Sequence, residues 1–286
     1  MGKLVKILIG VIIFLLIMGA AFYFLILRDS TEIATLTIKK QKVEVNTGGD
    51  WQQASDSRLL LSDSIRTLDG RALVILHESI LINMKENSEI SIKNLDKDKP
   101  GITQKSGKVW SKFTGMSGIE NYEVETPNTV ATVRGTAFLS KIEGSASIFI
   151  SGEGNVELRS GSNSLMLGAG EKGVNRGDGS ITKEPLTAEE RAEIIELMKE
   201  SLDDIKILRK KIINKHSAVL QRLMSQFELT EKDIDNGLDM IDRGEIDDNE
   251  LMNKSPIKVE AMNKVKAIND NIKEQMRFID KLNEAT

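Results

Sequence analysis

The stretch YEVETPNTVATVRGTAF, residues 122–138, decides the fold of the middle of this chain. Apolar and polar residues alternate from Tyr122 to Thr126, and a second β-rich run follows from Thr129 to Val133. A period of two and β-branched residues are typical of short strands with one buried face. We therefore predict strands here, not a helix.

The same signal recurs on both sides of this stretch. Of the 22 glycines, 17 lie between Ala34 and Thr182, where they separate short strand-like runs. The further predicted strands are Thr35–Ile38, Ile65–Leu68, Ala72–Leu76, Ile80–Met84, Glu89–Ile92, Ser147–Ile150, Val156–Leu158 and Ser164–Leu167. This spacing predicts an all-β sandwich or roll over residues 34–182. Asp69-Gly70, between two of the runs, is expected to turn a β-hairpin.

Helical signals replace the strand signals from residue 183 to residue 286. Thr187-Ala188-Glu189-Glu190 is a capping box, which predicts the start of a helix. Two apolar stripes with helical spacing follow, from Ile194 to Phe227 and from Met262 to Leu282. They predict an all-α helical hairpin or coiled coil that projects from the β-domain. The stripes are expected to pack against each other, or against a second copy of the chain, and to engage a protein partner.

The N-terminal residues predict a membrane anchor. Ile7–Leu27 is an unbroken apolar run that would span about 31 Å as a helix, close to the hydrocarbon thickness of a bilayer. Lys3 and Lys6 precede it, so residues 1–28 are expected to form a short cytoplasmic stub and a single-pass transmembrane helix, followed by a linker at 29–33. The body of the protein is then expected at the cell membrane on its extracytoplasmic side. A cleaved signal peptide is the alternative.

Composition excludes several classes of function. The chain has no Cys and two His, which leaves no thiol catalysis, Cys-based zinc site or His-rich metal site. A net charge of −4 and 4% aromatic residues argue against a nucleic-acid binder. We predict no cofactor, no metal and no catalytic residues, and hence no enzyme.

Three candidate sites each have a plainer structural interpretation. Asp239–Glu250 has the length of an EF-hand loop, but Ile241 and Arg243 occupy positions that need oxygen ligands, so a polar turn with Gly244 as helix cap is predicted. His77 and His216 lack neighbouring triad motifs and are predicted to be packing or surface residues. The basic triplet at 209–211 is predicted to be a solvated helix face.

Residues spread over the β-region carry a family resemblance. They are a Trp near the first hairpin, an Asp-x-Ile-x-Thr strand, a Thr-Pro step, a Val-Arg-Gly-Thr-x-Phe motif and an Ala-Gly-Glu: Trp51, Asp63, Ile65, Thr67, Thr126, Pro127, Arg134, Gly135, Thr136, Phe138, Gly170 and Glu171. In this order and spacing they resemble the FecR protein domain. The resemblance implies that they are structural residues. Arg134 is expected to bond backbone carbonyls in a strand crossing, and Gly135 to allow close backbone approach.

The family includes prokaryotic transmembrane regulators that act through a cytoplasmic segment that binds a sigma factor. The six residues before Ile7 are expected to be too few for that output. Two functions are therefore predicted: a binding or scaffolding protein of the cell envelope, or a sensor that relays a signal through its transmembrane helix. An envelope enzyme, for example a glycosidase with paired carboxylates, is the weakest alternative.

Overall fold

Short strands separated by turns fill the first two thirds of the described chain. The structure, a computed structural model, describes residues 33–215, 225, 230–247 and 260–284. Its strands are β1 (Ala34–Lys40), β2 (Val43–Asn46), β3 (Gln52–Gln53), β4 (Ser57–Arg58), β5 (Ser64–Thr67), β6 (Arg71–Leu76), β7 (Ile80–Met84), β8 (Glu89–Asn94), β9 (Gly101–Phe113), β10 (Tyr122–Glu125), β11 (Val130–Glu143), β12 (Ala146–Ser160), β13 (Asn163–Leu167), β14 (Lys172–Asn175) and β15 (Thr182–Glu184).

Three long strands, β9, β11 and β12, divide the sheet into two halves. The segments of these strands nearest residues 109, 139 and 149 pair with one another. They lie in the half of the sheet that the C-terminal helices cover, called the helix-facing half below, whose strand order is β4-β1-β6-β7-β9-β11-β12-β14-β15. Their other segments pair with β8, β10 and β13 in the outer half, which β5, β2 and β3 extend. The sheet therefore folds over on itself as a roll.

Each long strand bends at a glycine with a positive φ angle. Gly107 in β9 has φ 78°, Gly135 in β11 has φ 58°, and Gly154 in β12 has φ 74°. The register between β11 and β12 shifts at the same place, between Arg134 and Ala137. Because L side chains rarely adopt this backbone conformation, glycine lets each strand leave one half of the sheet and enter the other.

The main core lies between the two halves. It takes Val74, Ile82 and Phe138 from the helix-facing half, and Ile65 and Val124 from the outer half, all at most 1% exposed. The predicted alternation is confirmed by burial in β5 and β8, whereas in β10 the polar residue Glu123 is buried as well. Strands β6 and β7 differ, because nearly all of their residues are buried, which requires a covering layer on their second face.

The hairpin predicted at Asp69-Gly70 is wrong. Strand β5 pairs with β2 and β8, whereas β6 pairs with β1 and β7. The turn instead carries the chain from the outer half to the helix-facing half. A Cβ atom at Gly70 would collide with backbone carbonyl oxygens of Gln41 and Lys42, so the glycine serves a close approach between chain segments.

The covering layer is helical. The described helices are α1 (Ala188–Lys215), α2 (Glu231–Asp242) and α3 (Glu260–Glu284). The predicted capping box is present at α1: the Glu190 N–H donates to Thr187 Oγ1 (3.2 Å), and the Thr187 N–H donates to Glu190 Oε2 (2.9 Å). Gln275 Nε2 donates to the Met198 carbonyl at 2.5 Å, which places the C-terminal half of α3 beside the N-terminal half of α1. The two long helices are therefore antiparallel.

The predicted fold class is corrected in its membrane-spanning element. No helix within the described ranges is long and apolar enough to cross a membrane. The apolar residues of α1 and α3 form one stripe, and charged residues occupy the rest of each helix surface. The run Ile7–Leu27, which carried the transmembrane prediction, lies outside the described residues. What the structure describes is a β-rich middle followed by three helices.

The helices lie on the sheet and do not project from it. Residues Ile33–Thr286 form one compact unit, in which the strands and the helices share apolar clusters. The sheet continues through β15 to Glu184, and Thr187 begins the cap of α1 shortly afterwards. The predicted boundary at residue 183 stays a prediction.

Candidate functional site

The helix-covered face of the sheet is the candidate site. Alternate residues of β6, β7, β9, β11 and β12 point away from the main core and form an apolar surface: Leu73, Ile75, Leu81, Trp110, Ala137, Leu139 and Ile150. Each of these residues is at most 4% exposed. Exposing an apolar surface of this kind to water is unfavourable, and here α1 and α3 shield it from the solvent.

Two clusters join the helices to this face. Ile205, Leu208 and Ile212 of α1 meet Leu73 and Leu81 in the first cluster. In the second, the α1 residues Ile194, Leu197 and Met198 pack on Trp110 and Leu139. Ile268 and Ile272 of α3 complete the first cluster, and Ile279 completes the second. Within the described residues, the predicted apolar stripes are therefore buried mainly against the sheet as well as against each other.

Charged pairs line the contact between α1 and the strands. Glu190 Oε2 lies 2.9 Å from Lys172 Nζ, and Glu200 Oε1 lies 3.4 Å from a terminal guanidinium nitrogen of Arg71. Lys85 also pairs with Glu200, and Lys108 pairs with Glu193. An open cleft of about 370 Å³ lies along the pairs of Glu193 and Glu200, but not along the pair of Glu190. The rim of the interface is thus polar and reached by water, as in many protein–protein interfaces.

Asp204 is the most deeply buried acid of this set. Its Oδ1 lies 2.6 Å from Lys39 Nζ, and its Oδ2 accepts a hydrogen bond of 2.8 Å from Asn83 Nδ2. Burial raises the pKa of Asp204, although Lys39 opposes that shift. The carboxylate therefore carries a desolvation cost that its partners only partly offset.

A second buried ion pair lies beneath the helices. Lys112 Nζ of β9 lies 2.7 Å from Glu153 Oε2 of β12, and both side chains are at most 6% exposed. Strand β11 runs between the two, with Ala137 paired to both residues. Removing one partner of such a pair would leave a buried charge alone, so the pair favours one register of these strands.

Arg209 joins the three described helices. Its guanidinium donates to both carboxylate oxygens of Asp242 in α2, at 2.6 and 2.9 Å, and to Asn269 Oδ1 in α3, at 2.8 Å. The basic triplet at 209–211 is therefore not one solvated face, because Arg209 is only 4% exposed. Lys211 of the triplet contacts Thr37 Oγ1 at 3.2 Å.

The described part of the segment with the length of an EF-hand loop, residues 239–247, contains a helix end. Helix α2 ends at Asp242, Gly244 has φ 74°, and the Gly244 N–H donates to the Ile241 carbonyl at 3.0 Å. This confirms the predicted polar turn with Gly244 as cap. Asp242 is turned inward, where its carboxylate pairs with the Arg209 guanidinium. Among the described residues, no group of three or more acidic or His side chains could hold a metal ion.

The first FecR-like motif residues tie turns together. Asp63 Oδ2 accepts a hydrogen bond of 2.7 Å from the Leu60 N–H, and Ser62 before it has φ 71°. Thr67 Oγ1 donates to the Lys85 carbonyl at 2.5 Å. Ile65 between them is fully buried in the main core.

The Thr-Pro step and the Ala-Gly-Glu segment also make hydrogen bonds that join turns to neighbouring strands. Thr126 Oγ1 accepts a hydrogen bond of 2.8 Å from Ser147 Oγ, and Pro127 is exposed at the turn. The Gly170 N–H donates to the Ser151 carbonyl at 2.7 Å. Glu171 Oε2 lies 2.6 Å from Lys183 Nζ, and this hydrogen bond lowers the pKa of Glu171.

The Val-Arg-Gly-Thr-x-Phe motif marks the bend of β11. Thr136 Oγ1 donates to the carbonyls of Arg134 (3.1 Å) and Asn155 (3.0 Å), and Phe138 enters the core 6.4 Å from the Tyr122 ring. The Arg134 side chain is exposed and has no hydrogen bond to the described residues. The hydrogen bonds to backbone carbonyls that were predicted for Arg134 are therefore made by Thr136.

Trp51 and His77 each contact a neighbouring segment of the roll. The Arg66 guanidinium lies 4.3 Å from the Trp51 ring centroid, a cation–π contact on the outer half. His77 is half-buried in the β6–β7 turn, where its Nε2 lies 2.9 Å from the Leu95 carbonyl and burial lowers its pKa. His216 lies outside the described residues.

Sequence reasoning missed the charged residues of the interface. Glu193, Glu200 and Asp204 recur at intervals of seven and four, so they share one face of α1, and this signal was available. Their partners Lys39, Lys85 and Lys108 could not be assigned, because they lie 85 to 165 residues away along the chain.

Comparison with known proteins supports the β-region assignment. Residues 63–157 match the FecR protein family, which confirms the resemblance predicted from the sequence over those residues. No curated protein sequence matches the chain significantly. Two crystal structures of a putative anti-sigma factor from Parabacteroides distasonis ATCC 8503, at 2.50 and 1.65 Å resolution, are similar over part of the chain. Each alignment has 18% identity and a TM-score of 0.39, and covers 44% of this chain and 61% of that one, less than two thirds of its length.

Proposed function

We propose that this protein is a non-catalytic regulatory component of a signal-transduction pathway that acts by binding other proteins. The observation that carries the proposal is the FecR match over residues 63–157, which include β5 to β11 and most of β12. These strands build both the main core and most of the helix-covered face. The resemblance to a family that includes signal-transducing regulators therefore concerns the part of the molecule that already binds helices.

The chemistry of the site supports binding over catalysis. The FecR-like motif residues form turns, bends and core positions, as Thr136, Thr126 and Asp63 illustrate. The helix-covered face combines buried aromatic and aliphatic anchors with a charged rim. That composition is what a protein-binding surface needs.

A scaffolding role through the helices is the finer part of the proposal. The apolar stripes of α1 and α3 are buried within the chain, so a partner would use their outer faces or would take the place of a helix. Binding to a second copy, and an extracytoplasmic location, stay predictions.

Deleting the gene in the source organism tests the regulatory role. We expect a discrete set of transcripts to change and the wild-type gene to restore them. An unchanged transcript profile would overturn the proposal. Turnover of cell-wall glycans by the purified chain would also overturn it, in favour of an enzyme.

A further inference from the structure

Two rows of opposite charge meet where α1 lies on the sheet. The acidic row is on one face of α1 and consists of Glu190, Glu193, Glu200 and Asp204. The basic row is on the sheet and consists of Lys39, Arg71, Lys85, Lys108 and Lys172. Every member of one row pairs with at least one member of the other.

The basic row is a property of the folded sheet. Lys39 belongs to β1, Arg71 to β6, Lys108 to β9 and Lys172 to β14, and Lys85 directly follows β7. The row therefore crosses the sheet and follows the line along which a helix lies. The acidic row is, in contrast, a simple pattern of one helix, at intervals of three, seven and four residues. Another helix with the same pattern would present the same charges.

At this surface the apolar contacts contribute mainly to affinity, and the charges contribute mainly to selectivity. The contacts with Trp110, Leu139 and Leu73 provide most of the stabilisation, because apolar burial scales with area. The ion pairs at the open cleft are partly exposed, so each adds little affinity. Charge complementarity instead selects which helix is accepted and excludes helices with the opposite pattern.

Building on the proposed function, we propose that the basic row and its apolar neighbours are a docking surface for an acidic amphipathic helix of a partner protein. In this structure α1 of the same chain occupies the surface. The segment 185–187 joins β15 to α1, so α1 is held at a high effective concentration. A partner helix has to match the apolar stripe and the acidic row to displace it.

Weakening α1 within the full chain tests the proposal. The variant Glu193→Lys/Glu200→Lys reverses two charges of the acidic row. The control, Asp203→Lys/Glu274→Lys, makes the same change of net charge at two exposed helix positions, one in α1 and one in α3, that lie outside the acidic row and its cleft. The probe is a fluorescein-labelled peptide of residues 188–215, and its binding is followed by fluorescence anisotropy. A second peptide carries Lys at the four acidic-row positions.

We expect the native peptide to bind the Glu193→Lys/Glu200→Lys chain about tenfold more tightly than the control chain, since three ion pairs are at stake. The Lys peptide should bind it about tenfold more weakly than the native peptide, and salt should reduce this difference. Equal binding of both peptides would overturn charge recognition. Absence of peptide binding to a folded variant, judged by far-ultraviolet circular dichroism, would overturn the docking surface.

Two further outcomes are decisive. If charge reversal unfolds the chain, Glu193→Gln/Glu200→Gln removes the charges with little change of shape, and the same order of affinities is required. A mixed dimer of the reversed chain with wild-type chain, formed without peptide, would assign the surface to a second copy and overturn the partner proposal. The transcript experiment is independent of both: its failure removes the regulatory role, whereas failure of peptide binding removes only this surface.

Discussion

At the scale of single residues, Gly154 and Gly135 both permit a bend, of β12 and β11 respectively, but only Gly154 is also crowded by neighbouring atoms. Both have positive φ, but a Cβ at Gly154 would lie 3.0 Å from the Gly135 carbonyl oxygen, whereas nothing lies within 4 Å of one at Gly135. We expect Gly135→Ala to lower the unfolding free energy by about 1 kcal/mol. Gly154→Ala should cost about 2–3 kcal/mol, because backbone strain and crowding add. Urea unfolding measures both.

A Gly135→Asn variant tests whether the loss of stability at this bend comes from the positive φ angle and not from a steric contact. Asn enters the left-handed region more readily than Ala, so Gly135→Asn should cost less than Gly135→Ala. Equal losses for the two alanine variants would contradict the crowding at Gly154.

Asp204 should give the stability of the protein a measurable pH dependence. The pKa of Asp204 in the folded state is raised above the ordinary value of 3.8. At pH values between 3.8 and that raised pKa, the folded state binds more protons than the unfolded state. The contribution of Asp204 to the unfolding free energy therefore falls as pH rises through this window. Asp204→Asn cannot ionise, so its stability relative to wild type should increase as the pH rises above about 4.

Asp203→Asn is the matched control for the substitution itself. Asp203 is the neighbouring residue on α1 and is exposed, so its replacement should change the unfolding free energy by less than about 0.5 kcal/mol. A stability difference between wild type and Asp204→Asn that stays constant over pH would refute the assigned cause.

At the scale of elements, the attachment of α1 to the sheet depends on its inward face. Ile205 is fully buried in the cluster with Leu73, whereas Ile207 on the same helix is 42% exposed. We expect Ile205→Ala to lower the unfolding free energy by about 3 kcal/mol. Ile207→Ala should change it by less than about 0.5 kcal/mol. Similar losses for the two variants would mean that α1 is not seated on the face described.

The elements themselves were largely predictable from local sequence. Alternation located β10, the capping box located the start of α1, and glycine separated the strand region from the helical region. Asp69-Gly70 misled because a two-residue turn signal does not specify which strands pair. The continuous apolar runs of β6 and β7 were the unused signal, since strands without a polar face need cover on both sides.

The docking of helices on the sheet was not predictable in the same way. It depends on pairs such as Asn83 with Asp204, which lie 121 residues apart in the chain. A local period states that a helix has an apolar stripe but not what covers it. The sequence alternatives, self-packing or packing between copies, left out the sheet of the same chain.

At the scale of the whole molecule, the strands and helices should unfold together. Residues 33–286 form one compact unit, and the sheet face and the helix stripes are each other's cover. Separating them would expose both apolar surfaces to water, so a state with a folded sheet and free helices is disfavoured.

Trp110 reports on this directly, because it is 1% exposed on the helix-covered face and clusters with Ile194. In a Trp51→Phe variant it is the sole tryptophan, since the chain has two. We expect urea to change the Trp110 fluorescence and the far-ultraviolet circular dichroism with coincident midpoints. Trp110→Phe, which leaves Trp51 as the reporter of the outer half, should give the same midpoint once corrected for its own loss of stability. Helical and Trp110 signals that change together at a lower urea concentration than the Trp51 signal would instead mean that the helices detach first, and that the outer half retains its fold without them.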